Sequence, residues 1–487
     1  MSSTYERLAA LDEAFFWIEQ KNAPMHLAAA LLFKAGDLQQ PDGGINAHAI
    51  RAQIAAKLHL IPRYRQKIAW IPLVRRPVWV DDRGFDLDHH VRHASLPRPG
   101  NDEQLKRFCA HIMEEPLDGA RPLWQVHIIE GVEGGRFALF AKVHHSMVDG
   151  VSGIDLLKVL LGPTPEGESI EPPHFTPRRT PGGFELYRDE MRRRITRPIT
   201  ALREIGAFLA HAADAPQSLM SRIDALGNLA RGMLHRPSPA PFNQPISAQR
   251  RVGWLTTPLE PLKRVRRSAG ASVNDAALAV VTGAARHYLA HRQIDPVGLG
   301  FRAMAPVNTR TEDESGRLGN RVSAWVVDLP VGEPDPRERL RRIRLATREL
   351  KESQLPVGAT VVTEMSEWTS SALLISLTAR HLTRLLPCNL VVTNIPGPQF
   401  PVYMLGATMC EAFPFVPLTD GLGLNIGVMS YDGKLCWGFN ADYDLVPDLD
   451  VFVKGTKKAF DELCRLTVSA PAPHPSLRLS RSAGRRH

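Results

Sequence analysis

Two adjacent histidines, an aspartate and a glycine close the segment Lys142-Val143-His144-His145-Ser146-Met147-Val148-Asp149-Gly150. Imidazole is the side chain whose ordinary pKa lies nearest neutrality, which suits it to take a proton from a hydroxyl or a thiol. Before the pair, Phe137, Leu139, Ala141 and Val143 alternate with Ala138, Phe140 and Lys142, the pattern of a strand. On a continuing strand His144 and His145 face opposite sides of the sheet. One imidazole can then enter a substrate channel while the other packs or hydrogen-bonds behind it. The spacing predicts a general base at a strand end, with an Asp-Gly turn shaping its loop. A metal site and a purely structural His turn are the competing readings. Adjacent strand residues diverge and no second cluster has ligand spacing, so no metal is expected.

The elements that must hold this loop follow from periodicity and turn residues. Strands are expected at His26 to Lys34, Pro77 to Asp81, Leu123 to Gly131 and Arg136 to His144, the last two joined by Glu133-Gly134-Gly135. Asp102 to Glu115 reads as a helix. Val151 to Leu161 carries Ile154, Leu157 and Leu161 at helical spacing, with Asp149 placed to cap it. A Pro-rich stretch, 162 to 180, marks a domain edge. Residues 184 to 234 then read as two helices, with Leu186, Met191, Ile195, Ile199, Leu202 and Ile205 opposite Arg188, Arg192, Arg193, Arg194, Arg197 and Arg203. Pro198 breaks or kinks the first. Such a basic amphipathic face packs on a neighbour or lies on a membrane.

A second Pro-rich hinge spans Pro237 to Pro245. Beyond it, strands are expected at Arg251 to Thr257, Gly300 to Val307, Arg321 to Leu329 and Asn389 to Thr393. Helices are expected from Ser272, from Pro336 to Lys351 and from Phe452 to Leu466. Leu422 to Ser430 and Lys434 to Asn440 form a hairpin across Asp432-Gly433. The tail from Ala470 is rich in Pro, Ser and Arg and reads as disordered. The chain divides accordingly into 1–180, a helical Pro-bounded crossover at 181–245, 246–468, and a basic tail at 469–487.

At 487 residues the chain is too long for one ordinary core, and its 44% hydrophobic and 23% charged content is that of a globular protein. The five cysteines are far apart with no CxxC, which points to reduced thiols in a cytoplasmic setting. Glu6, Asp12, Glu13 and Glu19 interrupt the N-terminus, so no secretory signal is expected, and no apolar run nears the roughly 18–20 residues that span a bilayer. The net charge of +9 comes without a nucleic-acid motif. A basic surface fits an anionic membrane or a polyanionic cosubstrate at least as well.

The pattern HHxxxDG resembles the active-site motif of the coenzyme A-dependent acyltransferase superfamily, which includes chloramphenicol acetyltransferase-like enzymes and peptide-synthetase condensation domains. The ordered set Leu11-Asp12, Pro24-Met25-His26, Pro122-Leu123-Trp124, HHxxxDG, Asn274-Asp275, Leu318-Gly319-Asn320, Asn394-Ile395-Pro396-Gly397-Pro398 and Gly423-Leu424-Asn425-Ile426 is similar to the bacterial wax ester synthase/diacylglycerol acyltransferase family. Each motif is weak alone; their order along nearly the whole chain is not. Ile395 stands where that family often has Val.

The resemblance implies a mixed α/β fold of two chloramphenicol acetyltransferase-like domains, each a mixed sheet flanked by helices, with the active site in a channel between them. It implies transfer of a fatty acyl group from acyl-CoA, a co-substrate, to a long-chain alcohol or diacylglycerol, without bound cofactor or acyl-enzyme. His145 is the expected base, by analogy with the second histidine of the motif, and His144 supports the loop. Asp149 ties the loop down through Arg302 or Arg310, and Gly150 leaves room for a tunnel wall. Asn274 is the expected oxyanion donor, although Asn-Asp is also an ordinary helix start. Pro122, Leu123 and Trp124 pack near the acyl channel or form core. Asn394, Pro396 and Gly397 contact substrate or shape the domain interface. The expected partners are those substrates and a membrane or lipid-droplet surface, for a monomer that binds no nucleic acid. Two alternatives stay open: a condensation-type enzyme using a carrier-protein thioester, and a non-catalytic lipid-binding protein of the same fold.

Overall fold

Glycine, proline and capping residues divide the chain into short strands and eight helices among the residues described. The computed structural model describes residues 4–147, 159–166, 174–194, 236–308, 322–352 and 388–465. Its strands are β1 (Glu6–Arg7), β2 (His26–Lys34), β3 (Gln66–Trp70), β4 (Pro77–Asp81), β5 (Val91–Ser95), β6 (Trp124–Val132), β7 (Arg136–His144), β8 (Arg250–Pro258), β9 (Phe301–Asn308), β10 (Val322–Leu329), β11 (Leu390–Pro396), β12 (Tyr403–Met404), β13 (Ala407–Phe415), β14 (Leu424–Tyr431) and β15 (Lys434–Asp442). The helices are α1 (Ala10–Ile18), α2 (Ala47–Lys57), α3 (Asp102–Glu114), α4 (183–194), α5 (Leu259–Ala269), α6 (Val273–His291), α7 (Pro336–Glu352) and α8 (Leu449–Arg465).

Local chemistry explains the boundaries. Gly134 and Gly135 supply the left-handed backbone of the β6–β7 turn, and Asp432 and Gly433 do so between β14 and β15, as a tight two-residue hairpin requires. Asn101 and Gln104 form a reciprocal cap at α3; Ser272 and Asp275 do the same at α6.

The strands assemble into one sheet of order β12-β13-β2-β7-β6-β5, a second of order β10-β9-β11-β14-β15-β8, and a small sheet β1-β4-β3. The two mixed six-stranded sheets match the expected two-domain fold, with one difference. Strands β12 and β13 come from the C-terminal half, yet they extend the first sheet by pairing β13 antiparallel with β2. The contiguous unit expected over 246–468 is therefore interrupted. The edge of β2 that β7 does not use needs a partner, and residues 407–415 provide it.

A shared core joins the halves. Ala28, Leu32, Phe140, Cys109 and Met113 from the first half meet Val252, Trp254, Phe413 and Phe415, and Trp254 stacks on Phe413 at 5.3 Å. Trp254 Nε1 donates to Asp102 at 2.9 Å, and the Arg250 amide donates to Glu114 at 2.8 Å.

The segment expected as a hinge, Pro237 to Pro245, is instead pinned. Phe242 is buried, Asn243 donates to the Asn389 and Gly421 carbonyls at 2.8 Å, and Asn389 donates to the Ser238 carbonyl at 2.7 Å. Side-chain amides satisfy this backbone where no sheet does. Most of the expected helix 151–161, most of the second half of the crossover and the tail lie outside the described residues, as do Ile195, Arg197, Pro198, Ile199, Leu202, Arg203 and Ile205. No helix among the described residues is long and apolar enough to cross a membrane.

Candidate active site

Strand β7 ends at His144, and residues His145–Met147 turn as a 3-10 helix. The extended backbone expected to carry the two rings to opposite sheet faces stops one residue early. Both imidazoles meet helix α1 instead: His144 stacks on Phe16 at 4.5 Å and His145 on Phe15 at 3.8 Å. Neighbouring rings on one strand end are thus matched by neighbouring rings on one helix. The β2–β7 register sets His26 directly opposite His144, and the His145 amide donates to the Met25 carbonyl at 2.8 Å.

His144 is fully buried and its hydrogen bonds fix its tautomer. Its Nδ1 accepts from the Ser146 amide at 3.2 Å and lies 2.7 Å from Ser146 Oγ. The proton therefore sits on Nε2, which points to Glu19 Oε1 at 3.6 Å. Glu19 follows α1, accepts from the Met25 amide at 3.0 Å and lies 3.9 Å from His26 Nε2. One carboxylate thereby ties the helix end to the turn before β2 and stands near two buried imidazoles without hydrogen-bonding either.

His145 is half-buried, and its Nδ1 is enclosed without a hydrogen-bond partner. Burial, chiefly, pushes its pKa down to about 4; the residue's own backbone opposes this in part, and the neighbouring His144 adds a smaller push downward. The ring is therefore neutral at pH 7, the state in which imidazole accepts a proton. His26 is also held well below its ordinary value, first by burial and then by Lys142, His144 and Arg250.

Behind this layer, Lys142 is buried and donates to the Ile112 and Glu115 carbonyls at 2.7 Å each, closing the C-terminus of α3. Burial lowers its pKa to about 8. His127, two residues along β6 from the strand partner of Lys142, is pushed to about 4 by burial, then by Lys142 and Arg92.

The remaining expected site residues are dispersed. Leu123 and Trp124 are core: the indole is fully enclosed, donates to the Tyr64 carbonyl at 2.8 Å and stacks on His90 at 4.6 Å. Pro122 lines a small recess with His90, Arg92, Arg121 and Gln125, and the Leu123 carbonyl accepts the His144 amide at 2.9 Å. Asn274 is half-buried in the first turn of α6, beside Asp275, which caps the helix and accepts Thr347 Oγ1 at 2.8 Å. Asn394 lies on β11 opposite Val428. Pro396 is exposed beyond it. The Gly397 amide donates to the Ser430 carbonyl at 2.9 Å, where a Cβ would meet that oxygen at 2.4 Å. Ile395 packs into the first core although its strand belongs to the second sheet, so this turn joins the two halves. Arg302 binds Asp328 at 2.6 Å; Asp149, Gly150 and Arg310 lie outside the described residues.

With this arrangement established, comparison with known proteins is decisive. A profile of the wax ester synthase/diacylglycerol acyltransferase catalytic domain matches residues 8–277, and one of the WS/DGAT C-terminal domain matches 318–464. The chain belongs to the WS/DGAT family. It is an O-acyltransferase. A Mycobacterium tuberculosis relative, named as a presumptive diacylglycerol O-acyltransferase, is 30% identical over 479 residues, 96% of this chain and 91% of its own. The solved wax ester synthase/diacylglycerol acyltransferase from Marinobacter aquaeolei VT8 superposes with a TM-score of 0.66 at 24% identity, covering 95% of this chain and all of that one. The first condensation domain of the calcium-dependent antibiotic synthetase shares the fold, with a TM-score of 0.58 at 15% identity over 96% of this chain and 97% of its own.

Sequence reasoning singled out the WS/DGAT histidine pair but not its partners Phe15, Phe16 and Glu19. The signal available was the aromatic run Phe15-Phe16-Trp17 beside two acidic residues, unusual for a solvated first helix.

Proposed function

We propose that the chain moves a fatty acyl group from acyl-CoA to the hydroxyl of a long-chain alcohol or of diacylglycerol, with His145 as the general base. An alcohol is a weak nucleophile near neutral pH, so its proton must be taken as its oxygen attacks the thioester carbonyl. His145 takes that proton on Nε2, because its Nδ1 is enclosed. The C–O bond forms and the C–S bond breaks; the CoA sulfur leaves as thiolate and recovers the proton from the imidazolium. No acyl-enzyme is needed. Asn274 remains the side chain we assign to the developing oxyanion, and Asp149 to ordering of the loop. No bound cofactor enters the reaction.

The observation that carries this reading is the neutral, half-buried imidazole of His145, clamped on Phe15 beside a fully buried twin whose tautomer is fixed. The test is thiol release from palmitoyl-CoA with hexadecanol, with a diacylglycerol and with neither. Release only with an acceptor is expected. His145→Ala should lower it by about 10²–10⁴-fold with an unchanged far-UV circular dichroism spectrum. Near-normal turnover in that variant would remove His145 as the base, and acceptor-independent release would make the chain a thioesterase.

A further inference from the structure

The small sheet β1-β4-β3 ends in a tip unlike the rest of the surface. Between β3 and β4 the chain turns through Ile71 to Arg76. Leu73 at the tip is 86% exposed and Trp70 beside it 48%. Leu73 and Arg75 both adopt left-handed backbone, with φ of 62° and 56°. That conformation is costly for any residue bearing a Cβ, and it is kept where a function uses it.

Helix α4 is seated against this tip. Its Leu186 joins Ile71, Val78 and Val80 in a separate small core, and a Cβ on Gly183 would lie 3.0 Å from Pro72 Cγ. Phe184, 78% exposed, is thereby set next to the turn. Residues four apart share a helix face, so Arg188 and Arg192 stand on the same exposed stripe as Phe184. The opposite face is anchored: buried Glu190 accepts from Arg7 at 2.5 Å and from Arg194 at 3.1 Å. Trp70 and Leu73 on the tip and Phe184 on the helix seated against it are thus all exposed, and the same two elements carry the exposed Arg75, Arg188 and Arg192, of which Arg188 lies 3.7 Å from Asp189.

Large apolar side chains gathered on a rigid tip mark an interaction site, and a basic rim selects a negatively charged partner. Insertion of apolar groups beneath a ring of arginines is how a protein holds an anionic lipid surface. We propose that the β3–β4 tip and the Phe184 face of α4 dock the protein on an anionic phospholipid surface, and that a lipid-borne acceptor enters from that side. This second step rests on the acyl-transfer reading above. The same helix that clamps the histidines touches the docking surface. Trp70 lies edge-on to Phe16 at 5.9 Å and to Trp17 at 6.1 Å, and Arg76 forks onto Glu13 of α1, its Nε 3.0 Å from Oε1 and 3.1 Å from Oε2. The ring of Phe16 alone therefore stands between Trp70, at the edge of the tip, and His144.

The experiment is flotation of the full chain with vesicles of phosphatidylcholine alone and of phosphatidylcholine with phosphatidylglycerol. The intact protein should float with the anionic vesicles, and Leu73→Ser with Phe184→Ser should weaken that partition at least about tenfold. Arg188→Ser with Arg192→Ser should weaken it by roughly fivefold per arginine on anionic vesicles only. These arginines are exposed, so that pair keeps the question open to test should the apolar pair fail to fold. Both pairs should release thiol normally with water-soluble butanol as acceptor, while release with vesicle-borne diacylglycerol falls. Unchanged flotation of both pairs, or no flotation of the intact protein, overturns the docking surface. So does self-association that the apolar pair abolishes, which would assign the face to a second copy. Normal transfer to vesicle-borne diacylglycerol by a pair that no longer floats overturns acceptor delivery. Flotation without any thiol release refutes the acyl-transfer reading and leaves docking standing.

Discussion

At the scale of single residues, the site depends on how α1 conditions two imidazoles. Phe15 covers one face of His145 and burial holds that ring near pKa 4. In the role we propose for His145, protonation removes the base, so kcat/KM should fall only as pH drops toward 4 and stay flat from about 5 to 7. An acid limb at the ordinary 6.5 would mean that the ring is solvated before substrate arrives. Phe15→Ala readmits water and should move the acid limb up toward that value; an unmoved limb would show that other groups enclose the ring. Glu19, at the end of the same helix, stands 3.6 Å from His144 Nε2. The histidine pair was legible because it sits in one short motif at a strand end. Its aromatic and acidic partners were not, because only the β2–β7 register and the packing of α1 bring residues 15, 16, 19 and 26 to it.

Secondary-structure elements carry the next constraint, and β7 shows how one strand serves two faces. Lys142 is buried and closes α3 through two carbonyls. Lys142→Met keeps the apolar stem but leaves those acceptors unpaired, so a loss of about 1–3 kcal/mol is expected in urea unfolding. An unchanged midpoint would mean that water replaces the ammonium. His127 on β6 adds a pH dependence of definite sign. Its pKa is near 4 when folded and ordinarily 6.5, so the unfolded chain binds the extra proton between these values. Stability is therefore full above about pH 6.5 and is lost as pH falls toward 4, by on the order of 2–3 kcal/mol. His127→Leu should make that decline shallower, with the remainder belonging to His145 and His26, which burial depresses in the same direction; an equally steep decline would assign it wholly to them. Strands with clear alternation or tight glycine turns, such as β2, β4, β7 and the β14–β15 hairpin, could be read directly. Short strands bearing charges, β3 and β5, and the Pro-containing β13 could not, because their partners rather than their own patterns make them strands.

For the molecule as a whole, the decisive feature is that β13 leaves the half from which it comes. The two-domain plan was readable from strands and helices recurring on either side of a long Pro-bounded segment. The exchange was not, because nothing in residues 407–415 states which sheet they join. The crossing is possible because Gly427 and Gly438 face each other on β14 and β15 directly beneath Pro414 of β13. A Cβ on Gly438 would lie 2.1 Å from the Pro414 carbonyl oxygen, and one on Gly427 2.5 Å from it. That neighbour is backbone, fixed by its pairing with β2, and it has no rotamer by which to yield. Gly438→Ala should therefore cost about 3 kcal/mol or more, the upper end for overpacking. Acyl transfer should fall with it although no site residue is changed, since β13 is also the outer neighbour of the strand that carries His26. Gly119→Ala, where an added Cβ meets nothing within 4 Å, should stay within about 0.5 kcal/mol of the parent. Because the shared core and the exchanged strand tie the halves, the parent protein should unfold in one transition by circular dichroism and by tryptophan fluorescence. Two separated transitions, with Gly438→Ala shifting only one, would show that the halves fold apart and that the strand crossing is not what holds the site together.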